Sequence, residues 1–543
     1  MYIKNEVHTA IFPVRIVKVQ GSVTNSDVLL RERMPIPSLR EQIYTTLEKT
    51  GEENPYILLD FGRELHGSLR IVVASIPKGG KTATVHLTFG ESVSEALSEV
   101  GKSSATNDHS PRDFDAIVSN LSAVDYGMTG FRFARIELTQ MGSLNLKCAV
   151  AVAKTAPVEQ KGYLRTSDAR FNEILDTAIY TTYLNLQDGV IWDGIKRDRL
   201  VWSGDLNSEF LTLLYTYGPV EHIRNSLDFL AEATPEHRWM NTIPTYSAWW
   251  VINQLLYYRM SGDRAYLEMH ISRINSILKD LDVCIDADGA DFDRLGEVAH
   301  MPYYLDWPTR NTPDAEPGAM LLIYQAAKTA LASDADGVDA EIAASLVRKL
   351  VRYLEAPVSM KQTVAMQMLC GGKDATAKER LEKGGAKGFS TFMSYYLLKG
   401  LSACGSERAL DLAKTYYGAM LDRGATTFWE DFDMDWLEGS GRIDEIPNPN
   451  ERDLHADYGK YCYLGLRHSL CHGWSSGVVG WAFEEMLGLK VVAPGFAKVS
   501  IVPKLFDLEW LEAKVPTPHG DILVLAKKGE TPVITLPEGV ELV

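Results

Sequence analysis

Residues 168–186, "DARFNEILDTAIYTTYLNL", mark the point at which the chain changes from strand-like to helix-like patterning. Apolar residues recur there at a spacing of about 3.6, which is the period of an amphipathic helix. Similar segments follow at roughly 206–217, 219–232, 246–260, 265–284, 317–333, 338–354, 389–402, 406–422 and 474–487, with weaker ones at 360–369 and 376–384. The stretch therefore opens a long helical domain.

Short joints connect many of these segments and carry glycine, as in "YGP" at 217–219, "SGD" at 261–263 and "CGSE" at 404–407. Short joints produce antiparallel helix hairpins. About twelve paired helices predict an (α/α)6 barrel, in which six inner helices surround a funnel. An irregular bundle or a solenoid is the alternative, although we find no repeat of fixed period, which a solenoid would show.

Strand-like patterning flanks the helical region on both sides. Short β-branched and aromatic runs such as "YILLDFG" and "TATVHLTFG" lie before it, and "GDILVLAKKG" and "TPVITLPEGVELV" lie after it. Several short strands at this spacing favour a sandwich. We therefore expect a multidomain protein with an N-terminal β-sandwich accessory domain at 1–160, a catalytic (α/α)6 barrel at 161–490 and a small C-terminal β-sheet domain at 491–543.

The amino-acid composition and net charge limit the kinds of molecule that the protein can bind. The formal net charge of −17 argues against nucleic acid or an anionic membrane as the main partner, because both require a basic face. The sequence has no apolar run long enough to span a membrane and no signal-peptide pattern at its start, so we expect a cytoplasmic protein. The six cysteines lack CxxC spacing and are expected to be free thiols.

Four islands of polar and aromatic residues lie between predicted helices: "WDGIKRDRLVWSGD" at 192–205, "YLDWPTRN" at 304–311, "GATTFWEDFDMDW" at 424–436 and "SLCHGWSSG" at 469–477. Hydrolysis of a glycosidic bond usually needs two carboxyl groups. Aromatic walls can pack against the C–H faces of sugar rings. One such island alone is as well explained by a solvated loop, but helices arranged in a ring would bring all four together. The islands therefore predict a carbohydrate site at one mouth of the funnel.

These islands resemble conserved segments of the α-L-rhamnosidases of glycoside hydrolase family 78. "DGIKRDRLVWSGD" is similar to the family's D…R-E/D…W-x-G-D signature, "TTFWE" to its TT-x-W-E segment, and "LDWP" and "LCHGWSSG" to two further segments. The flanking "LLDFGRELHGSLRI" and "GFAKVSIVPKL" also look like that family's β domains. The resemblance covers nearly the whole chain in order and implies an inverting glycoside hydrolase with an (α/α)6 barrel.

The resemblance also implies roles for individual residues. Asp198 falls on the general acid, which in the family is more commonly glutamate, and Glu430 falls on the general base. Inversion needs about 6.5–9.5 Å between the two carboxyl groups, so that a water fits between them. The substrate-binding residues that the resemblance implies are Asp193, Arg197, Trp202, Asp205, Trp250, Asp306, Trp307 and His472. The match at Trp250 is loose, and Tyr246 could take the wall position instead.

Arg197 precedes Asp198 directly, and its charge would disfavour the proton that a general acid must carry. We therefore expect its guanidinium to bind sugar hydroxyls or another acid. The changes of CPQ to "GIK" and of glycine to Val201 before Trp202 indicate a distinct branch of the family.

The expected partner is a small soluble glycoside ending in α-L-rhamnose. The chemistry requires no cofactor, and no metal site is expected, because the Asp-rich segment 286–297 lacks the glycine position of a calcium loop. Exposed β domains could mediate a homodimer. The alternatives are a glycosidase of the same fold acting on a different sugar, and a catalytically silent sugar-binding protein.

Overall fold

The computed structural model describes residues 6–78, 80–333, 335–461 and 463–543. Within these ranges no helix combines the length and the apolar character needed to cross a lipid bilayer. Five cysteines lie in the described part of the chain as free thiols, whereas Cys462 lies outside it.

The N-terminal domain is one network of antiparallel strands. Its strands are β1 (Val7–Ile11), β2 (Arg15–Gln20), β3 (Val23–Thr24), β4 (Thr45–Lys49), β5 (Tyr56–Lys78), β6 (Thr82–Gly90), β7 (Asp113–Ser119), β8 (Ala123–Leu138) and β9 (Gly142–Thr155). Strand β5 pairs with β2, β8 and β9, and its register shifts at several points. A short helix, α1 (Val93–Leu97), and a long loop separate β6 from β7. This loop, residues 98–112, reaches the candidate site through His109.

The helical domain follows β9. Its helices are α2 (Ala169–Leu184), α3 (Leu206–Thr216), α4 (Glu221–Ala233), α5 (Pro244–Ser261), α6 (Arg264–Cys284), α7 (Ala315–Leu331), α8 (Ala340–Leu350), α9 (Lys361–Cys370), α10 (Ala377–Glu382), α11 (Ser394–Ala403), α12 (Ala409–Asp422) and α13 (Val478–Trp481). Each segment with helical spacing in the sequence thus contains a helix. The last one is irregular, because a 3₁₀ turn at Gly473–Gly477 leads into α13 and a π-helical turn at Ala482–Met486 follows it.

Alternate helices pack against one another in a closed cycle. Helix α3 contacts α5, α5 contacts α7, α7 contacts α9, α9 contacts α11, α11 contacts α13, and α13 returns to α3. All eleven residues of α3 are buried. By contrast α4 buries only Ile223, Ser226, Leu227 and Leu230, which form a single stripe at helical spacing. The cycle therefore lies inside, and helices such as α4 cover it.

Two small sheets complete the fold. Their strands are β10 (Tyr163–Thr166), β15 (Leu489–Ala493), β16 (Lys498–Ile501), β17 (Trp510–Thr517), β18 (Gly520–Lys527), β19 (Val533–Thr535) and β20 (Glu541–Leu542). One sheet has the order β10-β17-β18-β19 and the other β15-β16-β20. Strand β10 lies before the helices in the chain but pairs with β17 after them. The prediction of a helical domain between β-sheet domains is confirmed.

Two short hairpins flank parts of the candidate site. The first pairs β11 (Leu186–Gln187) with β12 (Val190–Ile191), and the second pairs β13 (Gly459–Lys460) with β14 (Tyr463–Leu464). The first hairpin ends where the segment 192–205 begins, so it sets the direction in which that segment leaves α2.

Candidate active site

A cavity opens where the loops before α3, α5, α7 and α13 meet. Its walls combine carboxylates, one histidine and many aromatic rings: Asp193, Asp198, Trp202, Asp205, Ile243, Tyr246, Met301, Tyr304, Trp307, Tyr463, His472 and Trp474. Helices α3 and α5 begin beside these lining residues, so the positive ends of their dipoles lie near the cavity and favour acidic side chains.

The segment 192–205 forms a closed loop before α3. Asp193 closes its base, because its backbone N–H donates to the Leu200 carbonyl at 3.0 Å and its Oδ1 accepts from the Leu200 N–H at 2.9 Å. At the tip, Asp198 and Arg199 both adopt left-handed backbone conformations, with φ of 56° and 55°. This tight turn folds the carboxylate of Asp198 back over the side chain of Arg197.

Arg197 bridges the two carboxylates that the resemblance assigns to catalysis. Its Nη1 lies 2.5 Å from Oδ1 of Asp198, and its Nη2 pairs with Oε1 of Glu430. The guanidinium is buried and also lies over the ring of Tyr463, 4.7 Å from its centroid. Burial alone would raise the pKa of Glu430, but the charges of Arg197 and His472 outweigh it and lower the pKa to about 2. Glu430 is therefore ionised throughout the neutral range.

Glu430 is held rigidly between two loop segments. Its N–H donates to the Ser469 carbonyl at 3.0 Å, and its Oε2 accepts from the Ser469 N–H at 3.1 Å. Its carbonyl accepts from the indole Nε1 of Trp474 at 2.9 Å and from the Thr391 hydroxyl at 2.6 Å. The position of this carboxylate thus depends on backbone contacts as much as on its ion pair.

His472 lies at the centre of three carboxylates. Its Nε2 is 3.5 Å from Asp193 Oδ2, 3.9 Å from Asp205 Oδ1 and 3.5 Å from Glu430 Oε1. Burial would lower the pKa of His472, but the three acids reverse this effect and raise the pKa above its ordinary value. The imidazolium form therefore neutralises part of the acidic floor of the cavity.

Two buried acids at the start of α3 have raised pKa values. Burial raises the pKa of Asp205 to about 8, despite the opposing charge of His472 and a hydrogen bond from the Tyr246 hydroxyl at 3.3 Å. Burial, together with the charges of Asp205 and Asp193, raises the pKa of Glu209 well above its usual range. Protonated carboxyls can donate as well as accept hydrogen bonds, which suits recognition of sugar hydroxyls.

Aromatic rings form a continuous wall of the cavity. Trp202 packs edge-on against Tyr246, with ring centroids 5.9 Å apart. Tyr246 packs in the same way against Tyr304 at 5.9 Å, and Tyr304 against Trp307 at 5.3 Å. The cavity therefore offers apolar faces around a charged floor, as binding of a sugar ring requires.

Most residues that the sequence singles out meet at this cavity. Asp193, Asp198, Trp202, Asp205, Trp307 and His472 line it, while Arg197 and Glu430 pair beside it. Asp306 is buried behind Trp307, where its Oδ1 accepts from the Trp307 N–H at 2.8 Å. Trp192 points elsewhere and packs edge-on against His66 of the N-terminal domain.

Two expectations need correction. Trp250 does not reach the cavity: it is fully buried one helical turn further along α5, where its indole donates to the Leu227 carbonyl at 3.1 Å. Tyr246, in the first turn of α5, takes the wall position. The guanidinium of Arg197 does bind another acid, Glu430, but it was not expected to contact Asp198 as well. The left-handed turn at Asp198 brings the two neighbouring side chains together.

Sequence reasoning missed two residues at the site. Glu209 is four residues after Asp205, so both acids lie on one face of helix α3, all of whose residues are buried. That spacing was a usable signal. His109 belongs to the N-terminal domain, and its Nδ1 lies 3.3 Å from Asp198 Oδ1. Nothing in the local sequence around His109 indicates that contact.

One group of side chains in the described residues has the geometry to hold a metal ion, formed by Glu91, Glu95 and His455. The ammonium of Lys196 lies among them, 3.0 Å from Glu91 Oε2 and 3.3 Å from Glu95 Oε1. It also donates to the Leu466 carbonyl at 3.1 Å. Lysine therefore supplies the positive charge that a metal would bring, and we assign no ion to this group.

Part of the helical domain matches a known protein family. Residues 159–349 match the family model described as the bacterial α-L-rhamnosidase six-hairpin glycosidase domain. No curated protein sequence matches the chain.

Solved structures show the same fold. The GH78 rhamnosidase of Bacillus sp. GL1 superposes with a TM-score of 0.73 and 22% identity, over 95% of this chain and 56% of that one. The rhamnosidase of Klebsiella oxytoca with rhamnose bound gives 0.69 and 20%, over 89% and 96%. The Streptomyces avermitilis α-L-rhamnosidase complexed with L-rhamnose gives 0.68 and 17%, over 90% and 48%. The chain thus spans a little over half the length of the Bacillus protein.

Proposed function

We propose that the chain, which matches the α-L-rhamnosidase family model over residues 159–349 and shares the fold of GH78 rhamnosidases, is a glycoside hydrolase that releases terminal α-L-rhamnose from small glycosides. The observation that carries the proposal is the pairing of Asp198 and Glu430 through one buried guanidinium, beside a cavity lined by aromatic rings. Two carboxyl groups beside a ring-lined cavity are the parts that glycoside hydrolysis needs.

The architecture that we propose for the helical domain is an (α/α)6 barrel. The closed cycle of contacts through α3, α5, α7, α9, α11 and α13 supports it, since those helices would be the inner ring. The cavity then lies at the mouth where the inner helices begin.

In the proposed mechanism Asp198 is the general acid and Glu430 the general base. Asp198 protonates the glycosidic oxygen while the sugar develops oxocarbenium character, and Glu430 takes a proton from water that attacks the opposite face. The result is inversion at the anomeric carbon.

The remaining residues bind the sugar. Trp202 and Trp307 offer their rings to the cavity, with Tyr246 and Tyr304 between them. Asp193, His472 and the protonated Asp205 face the same space and bind hydroxyls. These groups both donate and accept, so a ring with several free hydroxyls satisfies them better than an apolar ligand does.

Turnover of para-nitrophenyl α-L-rhamnoside, measured beside a panel of other aryl glycosides, tests the proposal. The wild-type chain should prefer the rhamnoside. Preference for another sugar would support a glycosidase of the same fold with a different specificity. Binding of L-rhamnose by calorimetry without turnover would support a silent sugar-binding protein.

Two isosteric variants test the assigned carboxylates. Asp198→Asn and Glu430→Gln should each lower kcat on the aryl rhamnoside by about 10²-fold or more, because each removes a proton-transfer group. Circular dichroism should show an unchanged fold. Wild-type rates in either variant contradict the assignment. NMR of the first-formed sugar reports the anomer separately, and retention would exclude the inverting mechanism.

A further inference from the structure

A histidine of the N-terminal β domain touches the proposed general acid of the helical domain. The backbone N–H of Asp198 donates to Nδ1 of His109 at 2.6 Å, and the same nitrogen lies 3.3 Å from Asp198 Oδ1. The His109 side chain is half-exposed at the rim. The contact therefore joins two domains at the residue on which proton donation depends.

The loop that carries His109 is fixed on both sides of it. Before it, Asp108 Oδ2 accepts from Nε of Arg467 at 3.2 Å. After it, the Ser110 hydroxyl donates to the Lys196 carbonyl at 3.1 Å. Lys196 is only two residues from Asp198 in the chain. The ring of His109 is thus held against the tip of the segment 192–205 by contacts that do not involve the ring.

The strained backbone conformation of Asp198 requires a contact that stabilises it. Asp198 and Arg199 adopt left-handed conformations in succession, which residues with a Cβ rarely do. An aspartate reaches less far than a glutamate, so its backbone must approach the cavity more closely to deliver the carboxyl group. The left-handed turn sets the direction of that carboxyl group, and His109 accepts the backbone N–H of Asp198.

We propose that His109 is a positioning residue for the general acid, which holds the turn at residues 197–199 in the conformation that presents the Asp198 carboxyl to the glycosidic oxygen. This inference rests on the proposed function. It makes the N-terminal β domain part of the catalytic apparatus instead of a separate appendage.

Two variants of His109 distinguish loss of its hydrogen bond to Asp198 from a change in the loop backbone. His109 itself has a left-handed φ of 66°, which glycine and asparagine tolerate. His109→Gly removes the acceptor, whereas His109→Asn places a carboxamide oxygen near the position of Nδ1 and keeps it. Ser104→Gly is the matched control, because Ser104 lies in the same loop with a φ of 63° and is exposed.

The substrates are 2,4-dinitrophenyl α-L-rhamnoside, whose leaving group departs without a proton, and methyl α-L-rhamnoside, whose leaving group requires one. His109→Gly should lower kcat/KM on the methyl glycoside by about 10- to 100-fold, since acid catalysis contributes on that scale. It should change the dinitrophenyl rate by less than about threefold. His109→Asn should recover most of the loss, and Ser104→Gly should match the wild type on both substrates.

The ratio of the two rates does not depend on how much protein is folded, because unfolding lowers both equally. An equal loss on the two substrates, no loss on either, or an asparagine variant as slow as the glycine variant would overturn the positioning role. A wild-type chain that hydrolyses neither rhamnoside overturns the proposed function first, and this inference falls with it.

Discussion

At the scale of single residues, the decisive arrangement is one guanidinium shared by two acids. Arg197 holds Glu430 strongly enough to lower the pKa of that glutamate to about 2, although burial acts in the opposite direction. A base so weak accepts protons poorly, since general bases work best with a pKa near the working pH. Sugar hydroxyls that draw Arg197 away from Glu430 would strengthen the base when substrate binds.

Replacing Arg197 by methionine tests this interpretation. Without the guanidinium, Glu430 loses the charge that lowers its pKa most, so this pKa should rise from about 2. The base is active only when ionised, and the acidic limb of the pH dependence of kcat/KM should therefore move upward. The rate should also fall by about 10²-fold or more, as the site loses a positioned charge. The exposed Arg408→Met is a control, and an acidic limb that stays in place contradicts the role of Arg197.

Sequence reasoning could identify most site residues but not their precise neighbours. Asp193, Asp205 and His472 lie in recognisable polar islands, and the ring geometry brings those islands together. Tyr246 and Trp250 are one helical turn apart, so the sequence alone could not decide which of them faces the cavity. The contact of Arg197 with Asp198 depends on a left-handed turn that no residue type at that position predicts.

At the scale of elements, the start of α3 and the turn before α13 fit together through a glycine. A Cβ on Gly473 would lie 1.6 Å from Oε1 of Glu209 and 2.8 Å from Nδ2 of Asn185. Glu209 is fully buried, so it has little space into which to move. The glycine thus allows His472 to approach the acids of α3.

Gly473→Ala should destabilise the protein by roughly 1–3 kcal/mol through overpacking and should lower activity. The double variant Gly473→Ala/Glu209→Ala should lose less stability than the sum of the single changes, because removal of the carboxyl makes room for the methyl group. Chemical denaturation measures both effects. Gly51→Ala is the control, as a Cβ added there would have no atom within 4 Å. Additive losses in the double variant would contradict direct steric contact.

Helix existence was predictable from periodicity, whereas short strands were not. Every segment with helical spacing contains a helix, because a run of more than ten residues repeats its apolar face several times. Strand β10 has four residues and its partner β17 begins more than 300 residues later, so no local pattern announces it. The helix ends shifted as well: the segment expected to begin at 389 begins its α-helix at Ser394.

At the scale of the whole molecule, buried acids make stability depend on pH. Burial raises the pKa of Asp306 from 3.8 to about 7, although hydrogen bonds from Ser390 and Trp307 oppose the change. Between these values the folded protein holds a proton that the unfolded chain has lost. Stability from this group is therefore highest at acidic pH and declines as pH rises to about 7.

Asp306→Asn removes this titration. The free energy of unfolding of the variant, relative to the wild type, should increase by up to roughly 3 kcal/mol between pH 5 and pH 8. Urea denaturation of both proteins at the two pH values measures the difference. The exposed Asp336→Asn should show no such trend, since its side chain is 82% accessible. A difference between variant and wild type that is the same at both pH values would contradict the raised pKa.

The pairing of β10 with β17 has a consequence for how the molecule is made. All the helices of the ring are synthesised before β17. Strand β10 therefore cannot pair with β17 until nearly the whole domain has been made. Closing such a long loop is slow, because the contact must wait for everything between its ends. Once formed, the hydrogen bonds between β10 and β17 connect the segments before and after the helical region. A protease cut in a loop between two helices would leave two fragments that this sheet still holds together.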